Sequence, residues 1–161
     1  MTSRGIAYRD TEVPTERSQS HIRDLLYKYG ASGIQFTESL FDQKIQMRFA
    51  YQVQENGQAK VTYFVRIQAE VPEMPPQDRR TTAAMRKHDQ IVRAGWRAIY
   101  WALKSRMESI DYGIETFEEA FLAHFEAGVD DKGRSVTIGE RVIPRLRAGQ
   151  LALVEGTSGT K

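Results

Sequence analysis

Arginine, lysine and aromatic residues at helical spacing are the groups of this chain best suited to holding a ligand. Arg86, Arg93, Arg97 and Lys104 are separated by steps of seven, four and seven, which puts them on one line of an α-helix. Tyr100 and Trp101 flank that line, and Arg79 and Arg80 extend it at its start. Each cation can neutralise a phosphate, and a neighbouring ring can stack on an unpaired base, worth about 1–3 kcal/mol per base. The mix suits single-stranded nucleic acid better than a duplex, since no groove-docking motif accompanies it. The competing reading is a solvated helix face whose arginines pair with nearby carboxylates.

The charges are sorted along the chain. Residues 79–107 carry eight Lys and Arg against Asp89, about +7, and residues 108–131 carry eight Asp and Glu with no Lys or Arg, about −8. The whole chain is only +2. Glu108, Asp111, Glu115, Glu118 and Glu119 crowd around Gly113 and offer oxygen ligands for magnesium or calcium, but without calcium-loop spacing. Glu118 and Glu119 equally suit a helix N-terminus. His21, His88 and His124 stand alone and form no paired-ligand motif. Asp42-Gln43-Lys44 has the acid-x-Lys form of some metal nucleases, with no partner acid evident on a preceding strand. Glycine-rich phosphate loops, GxSxG and dinucleotide fingerprints are absent. No catalytic residue, metal ligand or cofactor is assigned, and the balance leans away from an enzyme.

These groups need positioning elements. Thr82–Asp111 reads as one helix with no internal proline, and Met85, Val92, Trp96, Ile99, Leu103 and Ile110 form its core stripe. Ala84, Ile91, Gly95, Ala98 and Ala102 make a third, mostly small face where another backbone can approach, the expected surface of a homodimer. Residues 15–29 read as a first helix through Ile22, Leu25, Leu26 and Tyr29, closed by Gly30. A short strand is expected at 34–40, and residues 44–54 and 60–71 alternate apolar and polar. Asn56-Gly57 between them signals a hairpin. A two-residue turn would set Val53 across from Lys60, whereas burying both apolar sets needs Val53 across from Val61. A three-residue loop or a bulge is therefore expected. The outer face (Gln46, Arg48, Gln52, Thr62, Phe64, Arg66, Gln68) is expected to be solvated. Pro72, Pro75 and Pro76 end the sheet. Thr116 and Glu119 form a capping box opening a third helix that carries Phe117, Phe121, Leu122 and Phe125 as far as Gly128. After a turn at Asp130-Asp131-Lys132-Gly133, Thr137 and Glu140 cap a last short helix strained by Pro144.

The expected fold is α+β: a three-stranded antiparallel meander packed by an N-terminal helix and a long central helix, with one or two short C-terminal helices. Residues 15–149 form the single domain, between flexible stretches at 1–14 and 150–161. The absence of cysteine excludes disulfides, thiolate zinc sites and cysteine catalysis. No apolar run approaches the roughly 20 residues of a membrane span, and residues 1–10 lack a signal-peptide core. A cytoplasmic location is expected.

The order helix, three strands, helix is that of a double-stranded-RNA-binding domain, without that domain's loop motif or lysine run, and order alone carries no function. Trp96-Arg97-Ala98, Leu103-Lys104, Gly113-Ile114-Glu115-Thr116-Phe117-Glu118-Glu119-Ala120-Phe121-Leu122-Ala123-His124 and Gly133-Arg134 resemble small proteins carried by bacteriophages and integrated mobile elements, over about the second half of the chain. That family has no assigned activity, so the resemblance implies a setting, either DNA handling or a structural role, and no catalytic residues. The leading expectation is a non-enzymatic accessory protein binding single-stranded DNA or RNA. The alternatives are a homo-oligomeric or partner-binding structural protein and, third, a metal-dependent nuclease using Asp42 and the acidic block.

Overall fold

Strict alternation of apolar and polar side chains produces the two longest strands of the computed structural model, which describes residues 7–39 and 42–150. Strands β1 (Ala31–Ser39), β2 (Lys44–Glu55) and β3 (Gln58–Glu70) form an antiparallel meander in that order. Asn56 and Gly57 both take positive φ, 54° and 78°, the requirement of a two-residue hairpin turn. Val53 nevertheless pairs with Val61 and Tyr51 with Tyr63, because the register shifts between Val53 and Gln54. The turn keeps its two residues, and a bulge at Lys60 restores the buried face.

Helix α1 (Thr15–Lys28) and helix α2 (Thr82–Asp111) cover the apolar face of this sheet. Val92, Trp96, Ile99, Leu103 and Met107 are buried along α2, against Ile45, Met47, Phe49, Val65 and Ile67. Trp96 is 0% exposed; its indole Nε1 donates to Glu38 at 3.0 Å, and Phe36 meets it edge-on at 5.5 Å. Gly95 allows this close approach, since a Cβ there would lie 2.6 Å from Ile45 Cδ1 and 3.9 Å from Ala69 Cβ. The small face expected to receive a second molecule is thus turned, at Gly95, onto the chain's own sheet. Helix α1 runs parallel beside α2: Gln90 donates to the carbonyls of Arg9 and Thr11, His21 meets Arg97, and the Tyr29 hydroxyl donates to Asp111. That last bond, with burial, pushes the Tyr29 pKa up to about 12. Of the expected flexible ends, residues 1–6 and 151–161 lie outside the described residues, and 9–11 are held by Gln90.

The third helix departs from expectation. Its capping box forms between Thr116 and Glu119, but α3 spans only Phe117–Phe121, followed by a 3-10 turn, Leu122–His124. The chain then makes a small hairpin of β4 (Glu126–Val129) and β5 (Ser135–Thr137), which leads into α4 (Ile138–Arg147) with Pro144 inside it. The free edge of β3 wins the competition for this backbone: Phe125 forms a bridge with Val65. Phe125 stacks on Tyr63 at 4.4 Å and Phe117 on Tyr51 at 4.0 Å, whereas Leu122, expected in the core, is 53% exposed. Arg106 clamps the junction, donating to the carbonyls of Ala102 and Ala120 and to His124 Nε2 at 3.3 Å.

The outer face of the sheet is less open to solvent than its polarity implies. Arg48 and Arg66 sit directly across from each other on β2 and β3, an arrangement of like charges that destabilises a sheet. The C-terminal unit answers both. Arg48 Nε donates to Glu126 at 2.8 and 2.9 Å while its guanidinium lies 5.7 Å from the Phe64 ring centre; Arg66 binds Glu140 and the Ser135 carbonyl. The Glu126 side chain is 8% exposed, so its charge depends on Arg48.

Two expectations follow. Glu126→Ala leaves the facing arginines unbalanced and costs about 1–3 kcal/mol, read as a lower urea midpoint at unchanged m; Arg48→Gln combined with Glu126→Gln recovers part of the loss. His124 is the second handle. Burial, then the Arg106 charge, hold its pKa below the ordinary imidazole value of 6.5, while a bond to the Arg66 backbone opposes them. A depressed folded-state pKa means that stability is complete above pH 6.5 and is lost as pH falls through the folded value. Thermal melts between pH 7.5 and 5.5 (about the range isolating imidazole from carboxylates) decline in the native protein and decline less in His124→Gln; equal slopes contradict this assignment.

Candidate nucleic-acid interface

Outward from the core stripe, α2 presents a ridge of cations. Thr81 caps the helix by accepting from the Ala84 amide at 3.1 Å, and Arg79 and Arg80 lie just before it. The Arg80 guanidinium Nε donates to the Pro75 carbonyl at 2.9 Å, which pins it to the proline linker. No acidic residue stands in the first turn of α2 and no basic residue in the last. The helix dipole favours the opposite, by about 0.3–1 kcal/mol per charge. The dipole therefore gains nothing from the charges of α2, and helix stability does not account for their order.

The ridge is not uniform. Arg79 and Arg86 are exposed, and among the described residues Arg79, Arg80, Arg86, Arg93 and Arg97 make no ion pair with a carboxylate. Arg93 turns into a pocket of about 300 Å³ with Glu16, Glu38, Asp89 and the start of α1. Three carboxylates share that pocket with it, so Arg93 faces acidic residues rather than open solvent. Lys104 is shared with Glu108, 3.6 Å away one turn on.

Arg97 is the best-held cation. Its guanidinium carbon lies 4.6 Å from the Tyr100 ring centre and 5.3 Å from that of Trp101, and Nη1 contacts His21 Nδ1 at 3.1 Å. Arginine only donates, so Nδ1 accepts, and the neutral imidazole carries its proton on Nε2. Lys104 Nζ approaches Trp101 from the following turn, at 5.1 Å. Tyr100 is half-buried and belongs to the core edge, while Trp101 is 38% exposed. Of the two expected stacking rings Trp101 is the more exposed; Tyr100 packs against it at 5.2 Å, and Arg97 and Lys104 lie over it.

Two residues that the sequence reading left out join this site from α1. His21 and Lys28 line an open pocket of about 310 Å³ with Asp24, Leu25, Arg97 and Tyr100. They lie about seventy residues from Arg97 in sequence, and only the parallel packing of α1 on α2 brings them together.

The nuclease constellation assembles differently. Asp42 and Lys44 line a cleft of about 250 Å³ with Asp130, Glu140, Arg66 and Arg134. Each carboxylate is already engaged: Asp42 by Ser39, Asp130 by Arg134 and the amides of Lys132 and Arg134, Glu140 by Arg66 and the Thr137 amide. Those amide bonds hold the Asp130 pKa below its ordinary value. No cluster of three or more metal-ligating side chains exists among the described residues, and none of their helices is long and apolar enough to cross a membrane. No protein-family model, curated protein or solved structure matches the chain.

Arg93 and Arg86 separate local electrostatics from ligand binding. Arg93→Glu adds a fourth carboxylate to its pocket and lowers Tm by about 2–4 °C, the equivalent of about 1 kcal/mol for a chain of this size. Arg86→Glu, in open solvent, leaves Tm nearly unchanged. Calorimetry of the two variants decides this; equal Tm values mean that the pocket does not restrain Arg93.

Proposed function

We propose that the protein is a non-enzymatic accessory factor of a phage or mobile element that binds single-stranded DNA or RNA along the outer ridge of α2. The observation that carries this reading is the Arg97–Trp101–Lys104 cluster, an exposed indole between two cations, of which Arg97 has no carboxylate partner among the described residues. Stacking on a base with cation support on either side is the chemistry of sequence-tolerant single-strand binding. Arg79, Arg80 and Arg86 extend the track for a backbone, none of them paired with a carboxylate among the described residues. The resemblance of the second half of the chain to phage and mobile-element proteins supplies the setting.

Fluorescence titration tests the reading directly. Trp96 is fully buried, so quenching by an oligonucleotide reports Trp101. Quenching is expected with single strands, weakening as salt rises by about 0.7 log units of affinity per log unit of salt for each phosphate contact. Arg97→Glu with Lys104→Glu flattens that slope by about 1.4, and Trp101→Ala costs about 1–3 kcal/mol per stacked base. An absence of binding to any single-stranded DNA or RNA at low salt overturns the proposal.

A further inference from the structure

The seam between α1 and α2 has the make-up of an oxyanion receptor. Arg97 is half-buried there, gripped by two rings and His21, and has no carboxylate partner among the described residues. A guanidinium carries five N–H donors, and His21 takes one. A half-buried cation left unpaired favours binding an anion, because the ligand supplies the missing charge. His21 and Lys28 line the same pocket and carry N–H donors, and the Lys28 ammonium rests 5.3 Å from the Tyr29 ring centre on a flexible stem that can swing to an anion. Asp24 lines it too. With His21 neutral, Lys28 and Arg97 against Asp24 leave one net positive charge.

We infer that this seam holds one phosphodiester group of a bound nucleic-acid strand, through Arg97 with Lys28 and His21. The inference rests on the nucleic-acid reading above and adds the α1 residues and the ligand's charge state to it. A phosphodiester carries a single negative charge and matches the pocket. A terminal or free phosphate carries about −1.5 to −2 at neutral pH and meets Asp24. Asp24 therefore selects for the interior of a strand and against mononucleotides.

The test is anisotropy with a labelled oligothymidylate at low salt, on the full chain and on Lys28→Gln and Asp24→Asn, both at exposed positions of α1. Lys28→Gln is expected to weaken binding about threefold to tenfold and to flatten the salt slope by about 0.7; Asp24→Asn tightens binding. Thymidylyl-thymidine, a single phosphodiester, competes at lower concentration than thymidine monophosphate or inorganic phosphate, and Asp24→Asn narrows that gap. If the native protein binds the oligonucleotide but both variants keep its affinity and salt slope, the seam is not the site while the α2 ridge stands. If inorganic phosphate or the monophosphate competes better than the dinucleotide, the phosphodiester assignment fails. If the native protein binds no oligonucleotide, this inference falls together with the reading it rests on.

Discussion

A tryptophan removed completely from water still has an N–H to satisfy, and in this protein that requirement sets the geometry of everything outside the core. Trp96 finds its acceptor in Glu38, near the end of β1, and its ring lies against Phe36 on the same strand. With the indole anchored, α2 has one permitted rotation about its axis. Gly95 then faces Ile45, Ile99 and Leu103 (one and two turns on) enter the core, and Arg97 and Trp101 emerge away from it. The bond also couples the helix to a strand distant in sequence, so the solvent-facing ridge is held by the sheet rather than by helix propensity alone.

Charge is used in two ways. Across the sheet it is closed: facing Arg48 and Arg66 would repel, and glutamates from the C-terminal unit neutralise them, which ties the β4–β5 hairpin and α4 to β2 and β3. On α2 it is left open. Much of the acidic block that follows the ridge in sequence is committed elsewhere, Asp111 to Tyr29, Glu115 to Ser109, Glu118 to Tyr63, Glu119 to its cap and Glu126 to Arg48. Within that block, among the described residues, Glu108 alone forms an ion pair with a ridge cation, Lys104.

Periodicity made much of this legible in the sequence. The bounds of α2, four residues of its buried stripe (Val92, Trp96, Ile99 and Leu103), the alternation of β2 and β3 and the register conflict at Asn56-Gly57 follow from residue spacing, because burial enforces a period of 3.6 or 2; Met85 and Ile110, expected in the stripe, are only partly buried, and Met107 takes the buried place near its end. The hairpin at β4–β5 did not follow, because Phe117, Phe121 and Phe125 are spaced as a helix would space them. What stops that helix is the edge of a strand more than fifty residues earlier, a tertiary partner that no local pattern announces. The site was legible in the same uneven way. A single-helix wheel finds Arg97, Trp101 and Lys104, but it cannot show Arg93 facing Glu16 and Glu38 or His21 holding Arg97.

A three-stranded meander has two rims, each an invitation for another chain to add a strand. Here neither is flat. The β1 rim breaks step around Ser32, where the pairing with β2 shifts, and the β3 rim breaks step at Lys60 and is shielded at Val65 by Phe125. A neighbouring molecule offering an extended segment would meet amides and carbonyls out of phase on one side and an occupied position on the other. The two bulges, needed to keep apolar residues facing inward, thereby also guard the sheet against growing from one molecule into the next.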